Sequence, residues 1–296
     1  MTVVLAATRG SALARWQTDH VGALLAAVDA SVEVEAVIIS TKGDRERDVP
    51  LSSLGGKGVF VKEVQAALLE GRADIAVHSA KDMPAVTPEG LVIAAVPERG
   101  DPRDALVGTS FAELPPAARI ATGSPRRRAQ LTWLRPDLTF AELRGNIETR
   151  VSRASEHDAV VVAATAIDRL GIEVDLHHLD PSEFVPQVGQ ASLAIECRTD
   201  DVETRALLEQ IQHAESRRRL DAERGFLARL GGDCDLPAGA FATIEGPDVM
   251  VDGFVADLSG QVLVRHQVRS ADPVAAGTEL ARFLLEDAGG SSLQLR

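Results

Sequence analysis

The chain is short of cysteine, lysine and aromatic residues, and each shortage narrows what it can be. Two cysteines in 296 residues, Cys197 and Cys234, exclude a disulfide framework and form no Cys-x-x-Cys pair for metal or redox work. With no charged segment leading into an apolar one at the start, reduced thiols and a cytoplasmic setting are expected. The absence of Tyr and an aromatic content of 3% leave little surface on which nucleic-acid bases could stack. No apolar run is longer than that at residues 159–164, far short of the roughly 20 residues that span a bilayer. No membrane partner is expected.

What is present suits a soluble globular chain: 45% apolar residues, 25% charged, and enough length for two or three domains with cores of their own. The net charge of −13 repels nucleic acid and anionic lipid on average. Residues 119–150 reverse that sign, with seven arginines against three carboxylates. Lysine occurs at four positions only, Lys42, Lys57, Lys62 and Lys81.

Short β-like runs alternate with helical spacing through the first two thirds, which points to parallel α/β units. Strands are expected at 3–7, 32–40 and 74–78, with helices at 12–28 and 59–69 and a turn at 79–84. After a loop at 97–102 the alternation restarts, with strands at 119–122, 138–143 and 159–163 and helices at 125–134 and 147–155. Two charged helices follow at 201–212 and 216–230. Three alternating strands, 239–244, 250–257 and 262–268, and a closing helix at 274–286 make a small α+β domain. No short-period repeat interrupts this plan.

Arginines gather at strand-to-helix junctions. In Thr122-Gly123-Ser124-Pro125-Arg126-Arg127-Arg128, Ser124 suits the N-cap and Pro125 the first helical position, so three arginines fall in the first turn. Cations there oppose the helix dipole while free N–H groups attract anions. Either an anionic ligand or neighbouring carboxylates must settle them. Leu143-Arg144-Gly145-Asn146 repeats the arrangement, with Asn146 as cap and Arg150 one turn in. Ala7-Thr8-Arg9-Gly10-Ser11 has the same form and places Arg9 at the edge of the first sheet. Carboxyl edges of parallel strands are where α/β folds hold ligands, so a polyanion is expected.

Asp82, in His78-Ser79-Ala80-Lys81-Asp82-Met83-Pro84, is open to two readings, an acid/base group or a turn residue before proline. His78 and Ser79 lack a Gly-x-Ser-x-Gly elbow and do not make a hydrolase. Gly55-Gly56-Lys57-Gly58 fails the nucleotide-loop pattern and suggests a loop that carries Lys57. Asp175, His177, His178 and Asp180 read as a surface loop rather than a metal site. Cys197 follows an apolar run and reads as core. Cys234 sits in Gly231-Gly232-Asp233-Cys234-Asp235, where flanking carboxylates disfavour its thiolate. It could capture a very reactive electrophile or be activated by arginines from elsewhere.

Taken in order, Ala7-Thr8-Arg9, Thr41-Lys42-Gly43-Asp44, residues 55–63, residues 74–84, residues 99–105, Leu143-Arg144-Gly145-Asn146 and the loop at Cys234 resemble the hydroxymethylbilane synthase family. The resemblance covers nearly the whole chain. It implies two α/β domains like type II periplasmic binding proteins, residues 1–98 with 193–213 and residues 99–192, plus a small C-terminal α+β domain, 214–296. It further implies a dipyrromethane cofactor held by Cys234 through a thioether. Onto it four porphobilinogen units are joined with loss of ammonia, and the growing oligopyrrole is released by hydrolysis.

By the same resemblance Asp82 and Arg9 are catalytic. Lys81, Ser79, Thr122, Ser124, Arg126, Arg127 and Gly145 join Cys234 and Asp82 in holding the cofactor. Ser11, Gln17, Lys57, Arg144, Arg150 and Arg169 join Arg9 in holding substrate, no metal takes part, and the chain is a monomer. Acetate and propionate groups on every pyrrole would supply the expected polyanion, since guanidinium pairs carboxylate bidentately. The chain departs from the family at Gly123 and Pro125, at Ala191 after Gln190, where a second Gly is usual, and at Asp233 and Asp235 around the cysteine. A non-catalytic two-lobed protein for small anions is the rival reading.

Overall fold

A computed structural model describes residues 1–41, 43, 61–231 and 236–293. The chain divides into two compact units, Met1–Gly100 with Ala191–Arg218, and Asp101–Gln190 with Arg219–Arg296. The first unit opens with β1 (Thr2–Thr8), α1 (Ala12–Val28), β2 (Val32–Ile38), α2 (Lys62–Leu69), β3 (Ile75–Ser79) and β4 (Leu91–Ala95). The second begins with β5 (Asp104–Val107), β6 (Arg119–Ala121), α3 (Pro125–Leu134), β7 (Thr139–Ala141), α4 (Ile147–Ser152), β8 (Ala159–Ala163), α5 (Ala164–Leu170) and β9 (Leu176–His178). Next come β10 (Leu193–Arg198) and α6 (Val202–Glu209) of the first unit, then α7 (Ala214–Arg229), which belongs to the first unit up to Arg218 and to the second from Arg219. The second unit ends with β11 (Ala238–Glu245), β12 (Asp248–Ala256), β13 (Leu263–Ser270) and α8 (Pro273–Arg282).

The two five-stranded sheets share one topology, β2-β1-β3-β10-β4 and β7-β6-β8-β5-β9. Three neighbouring strands of each pair in parallel, as the alternation implies. The fourth strand in each order runs against the other four, so both sheets are mixed. β10 lies antiparallel to β3 and β4, and β5 antiparallel to β8 and β9. Parallel pairing needs a helical crossover, and neither β10 nor β5 enters its sheet through one. The segment read as a loop around His177 is in part an edge strand, β9.

Helix α1 has the bounds its spacing predicts. Ser11 caps it by accepting from the Ala14 N–H at 3.2 Å. Ala14, Gln17, Thr18, Val21 and Leu25 fall on one buried face, and the helix ends where Asp29 turns extended. That face covers one side of the first sheet, packing Val21 and Leu25 with Val4, Ala6, Ile75 and Ile195. α2 covers the other side, where Val64, Ala67 and Leu68 meet Ala7, Ala76 and Leu91. Alternate residues of β1 thus serve opposite layers.

In the second unit, α3 packs Leu131 against Leu106, Ile120, Val161 and Phe184 on one face of its sheet. Ile167 of α5 lies on the other face, with Val160 and Val162. The three-stranded sheet β11-β12-β13 is antiparallel, and Phe254 and Ala256 of β12 pack on Ala129 of α3. Glu223 of α7, fully buried, accepts from the N–H groups of Gly189 at 2.7 Å and Ala242 at 2.9 Å.

α7 and α8 approach so closely that the contact requires glycine. A Cβ at Gly277 would collide with the Ala222 carbonyl and come within 2.7 Å of Phe226 N. Gly277→Ala therefore costs about 1–3 kcal/mol of overpacking and lowers Tm by about 2–10 °C in a thermal melt. An unchanged Tm would mean the two helices part freely. Among the described residues no helix is long and apolar enough to cross a membrane.

Candidate active site

In the first unit, the carboxyl ends of β1 and β3 and the start of α1 frame a pocket. β1 delivers Arg9, and the turn after it delivers Ser11. α1 contributes Gln17, which is 3% exposed and donates from Nε2 to Ser79 Oγ at 2.8 Å. β3 runs into a single 3-10 turn, Ala80–Asp82, tied down by the Ala80 N–H on the Ser192 carbonyl at 3.0 Å. That turn brings Lys81 and Asp82 to the pocket, both half-buried. Six residues singled out from the sequence, Arg9, Ser11, Gln17, Ser79, Lys81 and Asp82, thus line one concavity. Among the described residues of the lining, two cations and hydrogen-bonding groups flank one carboxylate, a set able to hold an acidic molecule and orient its N–H groups.

In the second unit, β6, β7 and β8 are parallel and each runs into a helix, so their junctions share one sheet edge. Ser124 caps α3 with Pro125 at its first turn, as its residues predict. Thr122 is buried and its Oγ1 accepts from the Ser124 N–H at 3.2 Å. The anion demanded by the first-turn arginines is supplied from within the chain by Asp104, which is wholly buried on β5. Its Oδ2 accepts from Arg126 at 2.7 Å, and its Oδ1 from Arg127 at 2.7 and 3.0 Å and from Gln190 at 3.1 Å. Arg126 also donates to the Val185 carbonyl and Arg127 to that of Val161. Arg126 Nε is buried without a hydrogen-bond partner. One carboxylate against two guanidiniums leaves a net positive charge beneath the junction.

Arg128 instead turns outward, donating to the Thr122 carbonyl and to Glu142 at 2.6 Å. At the next junction Gly145 holds φ +110, and Asn146 caps α4 by accepting from the Thr149 N–H at 2.9 Å. Arg150 Nε folds back onto the Gly145 carbonyl at 2.9 Å, and Arg144 is half-buried beside it in sequence. Arg169, in the last turn of α5, has its pKa pulled down to about 10 by burial. Lys57 and Cys234 lie outside the described residues.

Cys197 is a fully buried free thiol, pushed up to about 11 by burial and by Asp201. Ala191, one of the departures read from the sequence, holds φ +68, the left-handed region that favours glycine. His177 pairs with Asp175 at 3.1 Å and His178 with Asp101 at 3.6 Å.

Two family models match the chain. "Porphobilinogen deaminase, dipyromethane cofactor binding domain" covers residues 4–206, and "Porphobilinogen deaminase, C-terminal domain" covers residues 218–286. The chain belongs to the porphobilinogen deaminase family. Relatives include the porphobilinogen deaminase of Nitratidesulfovibrio vulgaris (strain DP4), 44% identical over 99% of this chain and 96% of its own. That of Syntrophus aciditrophicus (strain SB) is 45% identical over 95% of each chain. Among solved structures, the methionine binding protein MetQ aligns over 73% of this chain and 92% of its own with 13% identity and a TM-score of 0.43.

The chain is accordingly a transferase of tetrapyrrole biosynthesis. It joins four porphobilinogen units head to tail, with loss of ammonia, on a dipyrromethane cofactor and releases hydroxymethylbilane. The residues present fit such a group. In the first-unit pocket, Arg9 and Lys81 would face its carboxylates and Asp82 would accept from its pyrrole N–H groups. The sequence reading overlooked Asp104, though an aspartate opening the apolar strand Asp-Ala-Leu-Val was a signal that a buried cation awaits it.

Proposed function

We propose that porphobilinogen deaminase chemistry takes place at the pocket holding Asp82, and that Asp82 and Arg9 are its catalytic residues. The observation that carries this reading is the convergence of Asp82 with Arg9, Lys81, Ser79 and Gln17 at the ends of β1 and β3. Asp82 accepts from the pyrrole N–H and stabilises the cation left on the pyrrole methylene when the aminomethyl group loses ammonia. Arg9 pairs with a substrate carboxylate beside it. Ser11, Gln17, Lys57, Arg144, Arg150 and Arg169 hold substrate. Lys81, Ser79, Thr122, Ser124, Gly145, Arg126 and Arg127 hold the cofactor. Asp104 supports this last role, because it fixes both guanidinium planes while leaving their charge incompletely neutralised.

The dipyrromethane, anchored on Cys234 as a thioether, supplies the pyrrole α-carbon from which the chain grows. Three domains follow the three sheets, with residues 1–98 and 193–213, 99–192, and 214–296. The enzyme acts as a monomer in the cytoplasm.

Intact mass tests the anchor. Purified protein should exceed its sequence mass by one dipyrromethane, and Cys234→Ser should lose both that increment and all turnover. An unmodified parent grown with substrate available, or a loaded Cys234→Ser protein, would overturn the assignment. Sedimentation at micromolar concentration gives the mass of one chain if the monomer reading is right.

A further inference from the structure

Next to Asp82, the wall of the pocket rests on a buried acid that the roles assigned above do not use. His78 belongs to β3, four residues ahead of Asp82, and its side chain lines the pocket while only 4% exposed. Behind it lies Glu196 of β10, with no exposure at all, its Oε2 3.1 Å from His78 Nε2. That contact is close enough for an ion pair but off the hydrogen-bonding direction, so Nε2 lacks a hydrogen bond. Gln65 of α2 donates from Nε2 to both oxygens of Glu196, at 2.9 and 3.1 Å. Three elements, β3, β10 and α2, thus meet on one carboxylate.

Burying a carboxylate is expensive unless charge and hydrogen bonds compensate. Its neighbours on β10, Ala194, Ile195 and Cys197, are apolar and fully buried, so packing alone would be served by an aliphatic residue at 196. What an acid adds there is a polar contact, 3.1 Å from the imidazole that forms the pocket wall. We propose that Glu196 is a positioning residue for the condensation, acting through His78 to hold the wall that carries Asp82.

The reaction has reason to need it. Each condensation breaks one C–N bond, forms one C–C bond and passes the α-proton of the attacking pyrrole to the departing ammonia. The acceptor must keep its place while this is repeated on a chain of increasing length.

The inference rests on the pocket being the condensing site, and a double-mutant cycle on cofactor-loaded enzyme tests it. Glu196→Gln keeps the shape and removes the charge. Its KM should stay near the parent's while kcat falls about ten- to a hundredfold. Combined with His78→Gln it should be no slower than His78→Gln alone, because the two act as one unit. A parental kcat in Glu196→Gln, or losses that multiply in the double variant, would overturn the proposal. Should Glu196→Gln fail to fold, Gln65→Leu replaces it in the cycle, stripping the amide bonds from Glu196 while leaving its charge, and the same two outcomes decide. Asp82→Asn is the control. If it too keeps the parental kcat, the reading of the pocket has failed; if it alone is slow, only the role of Glu196 has.

Discussion

Replacing Asp82 with alanine is expected to give a protein that still carries its dipyrromethane and binds porphobilinogen, yet turns over about 10²–10³-fold more slowly. Among the described residues lining the pocket, Asp82 is the one carboxylate, set among Arg9, Lys81 and the Gln17–Ser79 pair. The surrounding cations attract an acidic substrate before any bond has changed, so they serve ground state and transition state alike. A negative charge beside a pyrrole that is becoming cationic acts mainly at the barrier. The loss should therefore fall on kcat with little change in KM. Asp82→Asn, which keeps the shape and an acceptor oxygen, separates charge from hydrogen bonding. It should be nearly as slow as the alanine variant if charge dominates. Single-turnover kinetics on protein whose mass shows the cofactor in place is the measurement. Parental kcat in both variants would remove Asp82 from the chemistry.

The parts of this site that could be read from sequence are those set by local pattern. Strand followed by Arg or Asp followed by a capped helix is a contiguous signal, and it located Arg9, Ser124 and Asn146 as the structure has them. Helix α1 was legible because its buried face recurs at helical spacing. β4, β5 and β10 were not read as strands, for they are four to six residues long and their residues do not alternate apolar with polar. Partners far apart in sequence leave no period at all. Arg126 meets Asp104 across 22 positions and Gln65 meets Glu196 across 131. The roles of Cys234 and Lys57 came from resemblance alone. First-turn arginines announced that an anion was needed without saying whether a ligand or the chain itself would bring it. The chain brings one carboxylate, and the two arginines keep a surplus of positive charge.

Asp104→Asn should consequently be the most destabilising of the conservative changes considered. Asp104 is buried with Arg126 and Arg127 at 2.7 Å, and the two side chains are themselves 2% and 7% exposed. Removing the charge leaves two guanidiniums with no counter-ion inside the fold, and breaking such a buried group costs about 3–5 kcal/mol. The melt should drop by about 10 °C or more. The effect should depend on pH in a definite direction. Burial pushes the Asp104 carboxyl up, but Arg126 and Arg127 outweigh it and hold the group below its ordinary value of 3.8. A carboxyl whose folded pKa is depressed contributes stability that is fully present above the unfolded value and is lost as pH falls through the folded one. The gap between parent and variant should then be constant from neutral pH down to about 5 and close progressively below about 4. Urea titrations at a series of pH values measure it. A gap that widened in acid, or a variant as stable as the parent at pH 7, would mean the arginines find their charge balance elsewhere.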